Sequence, residues 1–74
     1  MQSTHIKFDL PKADKVKIVI YNVLGQKIST LIDRELPAGR YNYLWKPRGV
    51  ASGLYFYTIQ AEGYEAVKKM ILLK

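Results

Sequence analysis

Ile6, Phe8 and Leu10 alternate with His5, Lys7 and Asp9. A two-residue period places successive side chains on opposite faces of an extended strand. The same period returns where Val16, Ile18 and Ile20 alternate with Lys15 and Lys17. It returns again where Tyr41, Tyr43 and Trp45 share a face opposite Arg40, Asn42 and Lys46. Each such strand has one apolar stripe and cannot bury it alone. A chain built this way needs a second layer of strands, which predicts an all-β sandwich or small barrel.

Turn residues divide the chain at intervals of about 8 to 12 residues, the spacing of an all-β domain. Strands are expected at 5–10, 15–21, 26–32, 40–46, 54–61 and 64–73. Pro11 ends the first, because proline donates nothing to a ladder. Gly25 in Asn22-Val23-Leu24-Gly25-Gln26 offers a turn residue with positive φ. The third segment is the least regular, because Leu31 and Ile32 are adjacent, and a one-turn helix is the alternative there. Asp33 to Gly39 reads as a polar loop closed by Pro37-Ala38-Gly39. Glu62-Gly63 reads as a hairpin turn. No internal repeat or linker divides the 74 residues, so they form one domain.

A chain of this length without cysteine has no staple and little apolar surface to spare. Its large side chains are therefore assigned to the interior: Phe8, Ile18, Ile20, Tyr43, Trp45, Tyr55 and Tyr57. The competing use of Tyr41, Tyr43 and Trp45 is an open platform for sugar rings or bases. That use would make the chain a carbohydrate-binding accessory module of an extracellular hydrolase. The run Ala51-Ser52-Gly53-Leu54-Tyr55 fits a tyrosine corner, in which a hydroxyl just inside a strand returns to nearby backbone. Tyr55 is assigned that role.

Nothing in the chain has the form of a catalytic or metal centre. His5 is the only histidine, there is no cysteine, and Ser29 and Ser52 lack a base at useful spacing. The six carboxylates are scattered over turns and strand ends. The chain is expected to be non-enzymatic, with no cofactor and no metal. The net charge of +6 permits nucleic-acid binding, yet no basic cluster exceeds two adjacent residues. Lysines alternating along a strand instead discourage edge-to-edge pairing, so no nucleic-acid partner is expected. No stretch approaches the roughly 18 apolar residues of a membrane span. Met1 to His5 has no leader character, so any export signal is expected on an upstream part of a longer protein.

The run Lys68-Lys69-Met70-Ile71-Leu72-Leu73-Lys74 combines a terminal strand with basic residues. Either Met70 and Leu72 or Ile71 and Leu73 enter the core. Lys68, Lys69 and Lys74 are then left for a receptor to read.

Ile6-Lys7-Phe8-Asp9-Leu10-Pro11, then Val16 to Tyr21 followed by Asn22-Val23-Leu24-Gly25-Gln26, resembles the C-terminal sorting domains of the type IX secretion system. Leu36-Pro37-Ala38-Gly39-Arg40-Tyr41, Trp45, Ala51 to Tyr57 and Lys68 to Lys74 continue the resemblance over essentially the whole chain. Family members usually carry an Asn-Pro-rich segment before the Ser-Thr found here as Ser3-Thr4, and this sequence begins after that position, so the segment is either trimmed or absent. The resemblance implies an Ig-like antiparallel β-sandwich of six to seven strands, related to a module of the flagellar hook-capping protein. It implies a domain 1–74 excised from a larger exported protein. Such a domain is a non-catalytic signal that directs an upstream passenger across the outer membrane, through the periplasm, to the cell surface or the extracellular space. The implied partners are the outer-membrane translocon and a sorting peptidase. By the same resemblance Gly53, Tyr55, Lys68, Lys69 and Lys74 match the motifs that the machinery needs.

Overall fold

The computed structural model describes residues 4–47, 49–62 and 64–72. Six strands follow one another, with no helix among the described residues: β1 Thr4–Leu10, β2 Asp14–Asn22, β3 Lys27–Leu36, β4 Gly39–Trp45, β5 Gly53–Ala61 and β6 Tyr64–Leu72. They form two antiparallel sheets. One is the pair β1–β4, and the other has the order β3-β2-β5-β6. The small sheet covers one face of the large one, and the apolar stripes of both meet between them. This is the all-β sandwich that the alternation requires.

The interior contains Ile6, Phe8 and Leu10 from β1, Val16, Ile18 and Ile20 from β2, and Tyr55, Tyr57 and Ile59 from β5. Leu36, Trp45, Met70 and Leu72 complete it. Ile6, Val16, Ile18 and Ile20 have no exposed surface at all. Each buried side chain of this size contributes roughly 1.5–3 kcal/mol relative to leaving it in water. Two rings sit against others. Trp45 meets Tyr55 edge to face at 6.2 Å, and Tyr41 stacks on Phe8 at 5.1 Å.

Three expectations change. Tyr43 was assigned to the core, and it is 36% exposed. It shares a face with Trp45, but it sits on the outer strand of a two-stranded sheet. Across from it lie Ile32 and Arg34 of β3, at a shallow opening of about 100 Å³ rather than a closed interior. The third strand extends to Leu36 instead of stopping at residue 32. Asp33 to Leu36 pair with Asp14 to Lys17 of β2, so the charged stretch read as loop is strand. The irregular apolar pattern of β3 comes from two bulges. Ile18 pairs with Ile32 and Val19 with Thr30, which leaves Leu31 extra; Ile20 pairs with Ser29 and Tyr21 with Lys27, which leaves Ile28 extra. A bulge shifts the side-chain alternation by one position and bends the strand. That accounts for adjacent apolar residues without any helix.

Candidate functional site

β5 and β6 form a nine-pair hairpin in unbroken register, from Gly53↔Leu72 to Ala61↔Tyr64. That register places four of the five residues singled out in the sequence together. Gly53 starts β5 opposite Leu72, Tyr55 faces Met70, Phe56 faces Lys69, and Tyr57 faces Lys68. Lys74 lies outside the described residues.

Gly53 has φ +143°, which side chains other than glycine's rarely adopt. A Cβ built there would meet nothing within 4 Å, so the demand for glycine comes from the backbone alone. The turn it permits brings the loop back over β5. Tyr55 is buried and donates its hydroxyl to the Ala51 carbonyl at 2.7 Å. This is the corner expected from the sequence. It joins the loop to the core ring that packs against Trp45. A second tyrosine does the same on the other sheet, and sequence reasoning passed it over. Tyr41 donates its hydroxyl to the Pro37 carbonyl, again four residues back. The signal was present, since Pro37-Ala38-Gly39-Arg40-Tyr41 parallels Ala51-Ser52-Gly53-Leu54-Tyr55 in its glycine and tyrosine spacing.

Tyr55 is therefore closed to direct contact and holds the preceding loop to the core. The lysines are the accessible part. Lys68 and Lys69 are both exposed and, being adjacent on a strand, point to opposite faces of β6. Of the two core assignments open for this strand, the structure takes Met70 and Leu72; Ile71 is 66% exposed. Within the described residues β6 pairs only with β5, so its other backbone edge is free. Between β1 and the β5–β6 hairpin runs a groove of about 530 Å³. Phe8, Leu10, Ile59, Ala61, Tyr64 and Lys68 are among the residues that line it. Opposite Lys68, burial holds the Tyr57 phenol above its ordinary value of 10.0, with nearby Tyr64 adding to the rise.

The remaining candidates do not converge. His5 donates from Nδ1 to Asn42 Oδ1 at 2.9 Å on the exposed face of β1–β4. Among the described residues no group of three His, Cys, Asp or Glu side chains is placed to hold a metal ion. The sugar platform does not form: Trp45 is buried and Tyr41 is stacked on Phe8, which leaves Tyr43 as the open ring of the three. Among the described residues no helix is long and apolar enough to cross a membrane.

Residues 2–73 match the family described as the secretion system C-terminal sorting domain. No curated protein and no solved structure matches the chain.

Proposed function

The chain belongs to the secretion system C-terminal sorting domain family, the sorting signals of type IX secretion, and on that premise we propose that it is grasped through β6. In this reading residues 1–74 are one module at the carboxyl end of a longer exported protein. The domain carries its upstream passenger through the periplasm and the outer-membrane translocon, and a sorting peptidase then acts on it. The family is not catalytic, and this domain makes and breaks no bonds; its work is recognition.

The observation that carries the reading is the state of β6. It is nine residues long, free of bulges, open along one backbone edge, and flanked by Lys68 and Lys69 on its two faces. A strand of that kind accepts a further strand by main-chain hydrogen bonds, with side chains of alternate faces setting specificity. Gly53 and Tyr55 support it from within, by fixing the start of the strand that β6 pairs with.

The test fuses residues 1–74 to a periplasmic reporter in a host with the type IX machinery. The wild-type fusion is expected at the cell surface. Lys68→Glu with Lys69→Glu changes only exposed side chains, so the domain is expected to stay folded by circular dichroism while the reporter stays in the periplasm. Normal surface delivery of the folded double variant would show that β6 is not the grip.

A further inference from the structure

The outer face of the four-stranded sheet is divided along its length. Where β2, β5 and β6 run side by side, Lys17, Gln60 and Glu65 form one row across the sheet, all polar. The next rows toward the other end are different. Val19 and Thr58 stand beside Val67, Tyr21 and Phe56 beside Lys69, and Leu54 beside Ile71. These side chains lie on the outer face, because they alternate with Ile18, Ile20, Tyr55, Tyr57, Met70 and Leu72 of the interior; Val19 is itself buried there, at 3% exposed, so the open apolar surface comes from the others. Val67 is 65% exposed, Ile71 66% and Leu54 37%. Scattered apolar residues on a surface are ordinary, but a connected band of them marks a contact surface.

We propose that this half of the outer sheet face is a second docking surface of the sorting domain. It takes the apolar, acid-rimmed face of a folded partner protein of the export machinery. The inference rests on the sorting reading and adds a surface to it. Charge selects the occupant. No carboxylate lies in the three apolar rows, and Lys69 stands in the middle of them. Asp33 and Glu35 pair with Lys17 and Lys15, so with Glu65 they mark the polar end. A partner with carboxylates around an apolar patch meets this pattern with complementary sign. A second copy placed face to face would bring the Lys27 and Lys69 of both chains into one interface, on chains that each carry +6. A lipid surface gains about 1 kcal/mol per basic residue at the interface, and these rows supply two lysines, Lys69 and, across from Tyr21, Lys27 of β3.

The β2–β3 turn extends the same end. Asn22 Oδ1 accepts the Leu24 and Gln26 amides at 2.9 and 3.0 Å, and Asn22 Nδ2 donates to Gln26 Oε1 at 2.8 Å. Gly25, at φ +80°, donates its amide to the Asn22 carbonyl at 3.0 Å. A turn fixed this firmly holds Val23 and Leu24 in water, 61% and 78% exposed. Preorganised apolar side chains lose little freedom when a partner covers them.

The experiment uses the reporter fusion with Val67→Thr and Ile71→Thr together. Both substitutions keep a β-branched side chain on the strand. The purified chain is expected to keep its melting temperature, while surface delivery falls roughly tenfold or more, the scale of a lost hot spot. Lys17→Thr with Gln60→Thr, at the polar end, is expected to export normally. A photo-crosslinking residue at position 67 is expected to give a discrete adduct in the exporting cell, and one at position 60 none. Wild-type delivery of the Val67/Ile71 variant overturns the proposal. So does a dimer of the wild-type chain that this variant abolishes, or sedimentation with phosphatidylglycerol vesicles that it abolishes. Failure of the wild-type fusion to reach the surface would instead refute the sorting reading itself.

Discussion

β3 and β6 bound the same four-stranded sheet, and they protect their open edges by different means. β3 carries two extra residues, Leu31 and Ile28, and each breaks the ladder with β2. A strand kinked in this way offers a poor template for another strand. β6 has no bulge and holds register with β5 over its whole length. Its protection is chemical, with Lys68 and Lys69 at its middle. The difference matters because a bulge is permanent whereas a charge is conditional. An edge guarded by lysines repels other copies of the same basic chain, and in the proposed reading it admits a partner that brings carboxylates.

The comparison breaks most plainly if the two edges are equally anchored. Leu72 on β6 is 2% exposed, whereas Ile32 on β3 is only partly covered. Leu72→Ala is expected to cost about 2–4 kcal/mol and Ile32→Ala about half that, measured by urea unfolding with Trp45 fluorescence. In a domain this small the first loss leaves much of the chain unfolded at 25 °C. Equal losses would mean that β6 has no special hold on the core.

A smaller effect tests the guard itself. Lys68→Val with Lys69→Val is expected to make the chain self-associate as its concentration rises, read by light scattering. Lys27→Val with Arg34→Val on β3 is expected to leave it monomeric, because the bulges remain. Association of both variants alike would remove the distinction between the edges.

The smallest effect separates the two tyrosine corners. Tyr55→Phe loses a part-buried hydrogen bond beside β6 and is expected to cost about 1 kcal/mol. Tyr41→Phe loses an exposed one and is expected to cost a few tenths of that. Calorimetric melting of the two variants orders them. The reverse order would show that the β5 corner does not stiffen the hairpin.

Much of the fold was legible because alternation is a local property. Ile6, Phe8 and Leu10 face inward in any sheet that buries one side, and Pro11 ends their strand whatever packs against it. The Tyr55 corner was legible for the same reason, since donor and acceptor lie four residues apart. The Tyr41 corner repeats that signal and was passed over because Tyr41 was weighed only as part of an aromatic stripe. Asp33 to Leu36 was misread because charge on an edge strand looks like charge in a loop. The residues proposed for docking were half legible. Lys68 and Lys69 stand out in the chain, but Val67 and Ile71 look like core until the register puts Met70 and Leu72 inside.

The sequence by itself determined that this chain forms strands, roughly where they begin and end, and that two layers must enclose its aromatic and branched side chains. A period of two and the placement of proline and glycine decide those matters within a few residues. Tertiary structure alone decided which stripe is covered. Tyr43 and Trp45 share a face, yet the neighbouring sheet closes only over Trp45, while Tyr43 stands at a shallow opening beside Ile32 and Arg34. Val67 stays in water because none of the described strands lies across the outer face of β6. Exposure depends on what stands opposite a side chain, and strands far apart in the chain supply it.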